Sequence, residues 1–562
     1  MDLKKLAAEH IHSKLADELT LEQVQNLVEV PKISEHGDIA FPCFSFAKQY
    51  RKAPAAIAEE LADKLEGDLF EKVVPMGPYV NFFFKKAFIT NEVTQQILSE
   101  GKSYGNLNLG HGKNITIDWS SPNIAKPFSL GHLRSTVIGN SIGLIAEKCG
   151  YKVSKINHLG DWGTQFGKLI VAYKAWGDEE KVRANPIEEL LKLYVEFHEK
   201  AEEDPDLEQQ GRDWFKKLED GDEEATQLWS WFREESLKAF NKIYDLLGVK
   251  ADYNHGESFY NDKMPEIMEL LDNSGILELD RGAQVVKLEE ENLPVCLIRK
   301  SDGASLYITR DLATALYRHR TFDFAKNIYA VGNEQALHFK QLKAVLKKLG
   351  FDWSEQMIHA PFGLVKKDGK KLSTRKGKIV LLEDVLNESI KMAEKAIAEK
   401  NPNLADKDIV AKQVGVGAIV FHDLRNDRMN DIDFNLDHML KFEGDTGPYL
   451  QYTNARANSI LRKADYEEKK DLISLNDQWS FEVIRVLANF PKIIEKAFER
   501  NEPSVLSKYL IGLAQSFNSY YGHVRILEDN EEQQSRLALV KATTIVLTEG
   551  LRLLGIEAPK EM

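Results

Sequence analysis

The sequence predicts a multidomain protein built around a parallel α/β domain, with a small α+β unit before it and an all-α region after it. Three observations carry that reading. A length of 562 residues exceeds what one domain uses. From Asn114 onward, short apolar strands are each followed by a helical pattern, and beyond Leu381 the periodicity is almost entirely helical. With 43% hydrophobic and 29% charged residues, each part is able to bury its own core. No apolar run approaches the ~18 residues that span a bilayer; Val414–Phe421 is about the longest. Met1–His12 sets Asp2 and Glu9 among its lysines and lacks an apolar stretch, so neither secretion nor organelle import is signalled, and a cytoplasmic location without membrane attachment is expected. Cys43, Cys149 and Cys296 lie far apart without a CxxC pair, which argues against a disulfide framework and a cysteine zinc site. The net charge of -14 gives no global sign of a nucleic-acid partner, yet it leaves room for a local basic face.

Taken in order, residues 1–110 read as the α+β unit, with helices around Leu3–Leu19, Leu21–Val28 and Pro54–Leu65 and a strand at Tyr79–Phe84. Pro54 suits a first helical turn, where its missing N–H costs nothing. Residues 111–382 form the α/β domain. Ile115–Trp119 is its first strand, the helix from about Gly131 to Cys149 is closed by Gly150, and Lys152–Asn157 is the second strand. A charged, helical insertion is expected at about 178–286, anchored by Trp214, Trp229 and Trp231. Strand–helix alternation resumes with Ser305–Thr309 leading into Arg310–His319, and with Asn327–Gly332 leading into Gln335–Leu349. Residues 383–440 are a helical connection and 441–562 a helical domain, without internal repeats.

Two segments concentrate chemistry. Asp118 to Thr136 joins the first strand to its helix, where an α/β sheet places its ligand crevice. The helix start attracts anions, Gly131 admits a close approach to the backbone, and His132 offers a donor to a phosphate or carboxylate oxygen. Neither GxGxxG nor GxxxxGK[ST] occurs, which lowers the weight of dehydrogenases and P-loop NTPases. Gly363 to Lys378 is a glycine-bounded basic loop whose lysines and Arg375 suit the charge on a departing pyrophosphate. Taken singly, these residues would be ordinary core, cap or surface positions; their joint order is what has meaning.

Ser129-Leu130-Gly131-His132 resembles the HIGH signature of class I aminoacyl-tRNA synthetases, and Lys371-Leu372-Ser373-Thr374-Arg375 their KMSKS signature. Ser121-Pro122-Asn123 through Thr136, Asn157 through Gly167, and Asp445 through Tyr452 are similar to arginyl-tRNA synthetases in particular. Gly37 through Pro42 resembles that family's N-terminal additional domain, and the C-terminal helices its anticodon-binding domain. The resemblance implies a Rossmann-like catalytic domain, ATP-dependent activation of L-arginine, and transfer to the 3′ end of tRNA(Arg) with release of AMP and pyrophosphate. It implies catalytic roles for Lys126, His132, Lys371 and Arg375, and an arginine site of Asp118, Ser121, Asn123, His132, Tyr307, Asp311 and Gln335. Asp118 and Asp311 would grip the guanidinium together. Ser129, Gly131, His132, Lys371 and Ser373 would face ATP, and His158, Asp161, Trp162 and Gln165 would line the crevice. Mg²⁺ would arrive with ATP, without a tightly bound protein metal, and the chain would be a monomer. Ser129 stands where many relatives have histidine, and Thr374 where many have the second lysine, with Lys126 the compensating cation. In the helical domain Phe517, Tyr520, Tyr521, Arg525, Tyr449, Gln451, Tyr452 and Arg456 suit stacking on splayed bases. A paralogue that binds tRNA without charging it, encouraged by Ser129 alone, and an enzyme passing arginine to another acceptor are the competing readings.

Overall fold

The structure, a computed structural model, describes residues 3–31, 33–300, 307–367, 370–371, 380–469 and 472–562, the side chains of Ser34, Lys367, Lys370 and Lys371 excepted. Lys371 is therefore described in backbone only, and Ser373, Thr374 and Arg375 lie outside the described residues.

The N-terminal unit packs the helices Leu3–Leu15, Leu21–Leu27 and Pro54–Lys64 on an antiparallel sheet of order β1-β3-β2, with β1 Ile39–Pro42, β2 Phe70–Met76 and β3 Tyr79–Phe84. Thr20 starts the second helix through a reciprocal cap, its Oγ1 accepting from the Gln23 amide (3.3 Å) and its own amide donating to Gln23 Oε1 (2.8 Å). Phe70, Phe82 and Phe84 fill the sheet's inner face.

The central sheet is parallel, with order β10-β9-β4-β5: β4 is Asn114–Trp119, β5 Lys152–Asn157, β9 Phe324–Tyr329 and β10 Met357–His359. Asp118 pairs in register with Ile156 on one side and Tyr329 on the other, so the C-terminal ends of three strands open on one crevice. The helix Leu130–Lys148 follows β4 and is closed by Gly150 at φ +84°.

The material between β5 and β9 departs from expectation in two places. After the helices that end with Glu223–Leu247 and Met264–Ser274, the chain makes an antiparallel sheet of β6 Leu277–Asp280, β7 Ala283–Val286 and β8 Cys296–Arg299. These strands are short and partly solvent-facing, Leu279 being 79% exposed, so they leave only a faint apolar signal. The strand expected at Ser305–Thr309 is not one over its described part: Tyr307, Ile308 and Thr309 open the helix Tyr307–Phe322, while Ser305 and Leu306 lie outside the described residues. Tertiary context overrides the β-preference of Tyr-Ile-Thr here. Ile308, Leu312, Ala315 and Leu316 bury one helical face in a core shared with β8 and β9, and Thr309 Oγ1 donates to the Ile298 carbonyl (3.0 Å).

Beyond the sheet, β11 Val365–Lys367 pairs antiparallel with β12 Lys370–Lys371 and parallel with β13 Ile432–Asp433. The helices Leu382–Lys400, Lys407–Leu424, Gly447–Lys463, Gln478–Ala488, Phe490–Arg500, Ser504–His523 and Gln533–Leu553 complete the C-terminal part. It packs directly on the central domain: Ser141 Oγ donates to the Leu553 carbonyl (2.9 Å) and Tyr104 Oη to that of Leu487 (2.9 Å). Cys43, Cys149 and Cys296 are buried free thiols. No helix among the described residues is long and apolar enough to cross a membrane.

Candidate active site

The crevice begins in a strained turn. After β4, Ser120 (φ +62°) and Ser121 (φ +56°) take left-handed backbone conformations, as does Ala125 (φ +57°), each costing about 1–3 kcal/mol for a residue other than glycine. A dense set of hydrogen bonds holds them there. Ser120 Oγ meets Tyr244 Oη (2.8 Å) and accepts from Thr136 Oγ1 (2.9 Å), Ser135 Oγ donates to the Ser120 carbonyl (2.9 Å), and the Ser121 amide donates to Asn157 Oδ1 (3.1 Å). Gly160 passes so close that a Cβ there would sit 1.9 Å from Asn123 Oδ1. The turn thus aims Ser121 and Asn123 into the crevice.

One cavity of about 450 Å³ lies at this point. Asp118, Ser121, Asn123, His158, Tyr307, Asp311 and Gln335, widely separated in sequence, all line it. Asp118 is less available than its position suggested. Its Oδ2 accepts from Arg318 Nη1 (3.1 Å) and its Oδ1 from Ser121 Oγ (2.8 Å), so a fully buried guanidinium of the chain itself already neutralises it. The carboxylates that complete the cavity are Asp311, with Oδ2 2.6 Å from His338 Nε2, and Glu257, which sequence reasoning missed. Burial lifts Glu257 to about 7, against the pull of Arg310 at 3.9 Å. Nothing in the local sequence marks Glu257; it enters from a short 3₁₀ turn, Glu257–Lys263, at the far end of the insertion.

The other expected crevice residues stand behind this wall. Asp161 is fully buried and accepts from the Ser258 amide (2.8 Å), Ser258 Oγ (2.9 Å) and Arg233 Nε (2.8 Å), while the Glu257 amide donates to the Leu159 carbonyl (2.9 Å). Asp161 therefore anchors the segment that carries Glu257. Trp162 packs edge-on against Phe215 and Trp229, and Gln165 Nε2 reaches back to the Trp162 carbonyl (3.4 Å). Trp162 packs on the insertion, and neither Trp162 nor Gln165 is among the residues that line this cavity.

His132 is the third residue of the helix Leu130–Lys148, within its first turn. The Ser129 amide donates to His132 Nδ1 (3.1 Å), so Nε2 carries the ring proton. Burial, with a smaller push from Lys126, lowers His132 to about 4, which makes it a neutral donor at the helix N-terminus. Lys126 itself lies with Nζ 5.6 Å from the centre of the Tyr194 ring, against the insertion. The far root of the second basic segment docks here: the Leu130 amide donates to the Val380 carbonyl (3.3 Å) and the Leu382 amide to that of Phe128 (3.0 Å). Both signature segments are thereby joined at their bases.

Comparison with known proteins agrees with this geometry. Residues 92–436 match the family "tRNA synthetases class I (R), catalytic domain", residues 450–562 the "DALR anticodon binding domain" and residues 2–84 the "Arginyl tRNA synthetase N terminal domain". An arginine–tRNA ligase of Enterococcus faecalis is 60% identical over 563 residues, and one of Exiguobacterium sp. is 59% identical over 562, each match covering 100% of both chains. The chain belongs to the arginyl-tRNA synthetase family. Among solved structures it is similar to the Thermus thermophilus arginyl-tRNA synthetase, with TM-score 0.81 and 26% identity over 100% of both chains. The arginyl-tRNA synthetase of Plasmodium falciparum gives TM-score 0.80 at 26% identity, covering 99% of this chain and 98% of that one.

In this synthetase the C-terminal aromatic residues divide into two groups. Phe517, Tyr520 and Gln451 are buried, and Gln451 Nε2 donates to the Gln413 and Glu557 carbonyls (2.9 and 2.8 Å). Tyr452 and Tyr521 flank the Arg456 guanidinium at 4.9 and 5.2 Å, and Tyr521 is half exposed. The sequence reading passed over Trp479, which stacks on His523 with ring centres 3.8 Å apart.

Proposed function

We infer that this chain is an arginine–tRNA ligase: an arginine carboxylate oxygen attacks the α-phosphorus of ATP, pyrophosphate leaves, and the terminal ribose hydroxyl of tRNA(Arg) then displaces AMP. The observation that supports the arginine assignment is the presence of both Asp311 and Glu257 in the lining of one cavity. A guanidinium is planar and permanently charged, and two carboxylates lining one pocket can recognise it with charge-assisted hydrogen bonds. Tyr307, Asn123, Gln335 and Ser121 line the same cavity, which supports assigning Asn123 and Gln335 to the substrate amino group and Ser121 to its carboxylate. His132 Nε2 and the Gly131 amide at the helix start would oppose charge that grows on the α-phosphate in the transition state. Lys126, Lys371, Ser373 and Arg375 act on the departing pyrophosphate. ATP enters as its Mg²⁺ complex, so the metal is part of the substrate. The protein works as a cytoplasmic monomer. ATP–pyrophosphate exchange dependent on L-arginine, followed by charging of tRNA(Arg), is the expected result; exchange with lysine at a comparable rate, or none with arginine in the presence of tRNA, overturns the reading.

A further inference from the structure

The loop 425–431, between the helix Lys407–Leu424 and β13, touches three parts of the enzyme at once. Toward the C-terminal helices, Arg428 Nε donates to the Asn501 carbonyl (3.1 Å) and lies 3.7 Å from Glu502 Oε2, while the Arg428 amide donates to that same carboxylate (3.3 Å). Toward the second signature hairpin, Arg428 Nη1 donates to the Pro361 carbonyl and the Arg428 carbonyl accepts from the Gly363 amide (2.8 Å). Toward the first signature helix, Arg134 Nη1 donates to the carbonyls of Asn430 (2.9 Å) and Gly363 (2.8 Å), and the same guanidinium pairs with Asp423 at 3.2 Å, both side chains buried.

We propose that Arg428 is a positioning residue for adenylate formation, spanning from the C-terminal helices to the root of the second signature hairpin so that the seating of those helices sets where the hairpin stands. The geometry suits this task. Asn501 and Pro361 offer fixed main-chain acceptors on two different bodies, and the planar fork of one arginine satisfies both. A lysine in its place keeps the charge beside Glu502 but has a single head, which cannot hold both carbonyls in the same geometry. The root has little freedom of its own. A Cβ on Gly363 would lie 2.6 Å from the Asn430 carbonyl oxygen, the Leu364 amide donates to Asp431 Oδ1 (2.8 Å), and Lys366 Nζ pairs with Asp431 (2.7 Å). A displacement of the loop 425–431 is therefore passed to β11 as a whole. Glu502 is itself committed to the helical side, since its Oε1 accepts from the Ser504 amide (3.3 Å) at the start of the helix Ser504–His523.

The inference rests on the functional reading above, and Arg428→Lys tests it. The expected signature is a fall of about ten- to a hundredfold in the maximal rate of tRNA-supported pyrophosphate exchange, with the arginine KM within about twofold of wild type, because small misplacements of a catalytic group act on the chemical step. Hydrogen exchange supplies a second readout. Amides between Gly363 and Lys367 should lose protection in Arg428→Lys, while those of β4 and β9 keep theirs. Wild-type exchange rates together with unchanged protection of that segment overturn the proposal, as does a rise in arginine KM that matches the loss of rate. Wild-type enzyme that exchanges no pyrophosphate with arginine defeats the functional reading, and the hydrogen-exchange comparison then still decides whether Arg428 holds the hairpin root. Should Arg428→Lys fold poorly, Glu502→Gln, which loses the charge and keeps only one of the two acceptor oxygens, should give a smaller effect of the same kind.

Discussion

Asp118 and Asp311 both line the cavity, yet they hold different partners, and substitution separates them. Asp118 faces Arg318, a guanidinium without solvent exposure. Asp118→Asn strands that charge, and breaking a buried pair from one side costs about 3–5 kcal/mol; a clear drop in Tm is expected, measured by calorimetry. Asp311 is partly exposed and its neighbour is the titratable His338. Asp311→Asn should leave Tm near wild type, raise the arginine KM at least tenfold by losing a charge-assisted contact, and leave the ATP KM within about twofold. Equal Tm for both variants would make Asp118 a plain substrate ligand. Glu257 adds a pH signature. Because burial raises it from 4.5 to about 7, the free enzyme holds its proton below neutrality, and a bound guanidinium favours its loss. Arginine KM should fall as pH rises from 6 to 8, and Glu257→Gln should flatten that slope. The same shift means that the stability contributed by protonated Glu257 is complete below its unfolded value near 4.5 and is lost as pH rises through about 7. A KM independent of pH in wild type removes Glu257 from contact with the guanidinium. Asp118 and Asp311 were legible in the sequence, but the parts of Glu257 and Arg318 were not, since Glu257 is one acidic residue among 88 and Arg318 one basic residue among 74.

At the scale of single elements, the β-strands and helices around the crevice followed from local pattern, and the errors fell where packing decides. Lys152–Asn157 and Tyr79–Phe84 were read to the residue because apolar, β-branched and aromatic residues alternate between turns. Tyr307–Phe322 was partly misread because Tyr-Ile-Thr prefers strand in isolation, and only the core against β8 and β9 makes it helical. The loop after β4 shows the same dependence on partners. Its left-handed serines stand because Asn157, Tyr244, Ser135 and Thr136 hold them. Gly160→Ala places a carbon 1.9 Å from Asn123 Oδ1, so Asn123 must move. An increase in arginine KM of about tenfold or more, with ATP KM little altered, is expected from the misplaced amide. Gly512→Ala, where a Cβ meets nothing within 4 Å, is the matched control and should be silent in the same assay.

At the scale of the whole molecule, the segments that flank the two signatures dock on each other and the C-terminal helices pack on the central domain. Leu130 and Leu382 join the signature bases to each other, and Ser141 and Tyr104 join the central domain to the helices that follow. A closed catalytic arrangement populated at roughly one percent would become the majority if tRNA favoured it by ~3 kcal/mol. Arginine-dependent pyrophosphate exchange is therefore expected to be slow in RNA-free enzyme and to rise at least tenfold on adding tRNA(Arg). Equal rates with and without tRNA would mean that the catalytic arrangement is already assembled.

By itself the sequence determined the succession of domains, the strands and helices with strong periodicity, and the two signature segments, because these are written in neighbouring residues: turn glycines, caps and apolar spacing act over a few positions. Tertiary structure alone brought Glu257 beside Asp118 and Asp311, which the sequence had already singled out, in the lining of one cavity. Asp118, Glu257 and Asp311 are comparable carboxylates in the chain; the buried Arg318 pairs with the first, while the insertion, fastened by Asp161 to Ser258, carries the second into the cavity. The energy of a charge depends on what surrounds it in space, and those surroundings come from segments separated by as much as 200 residues, as with Asp118 and Arg318.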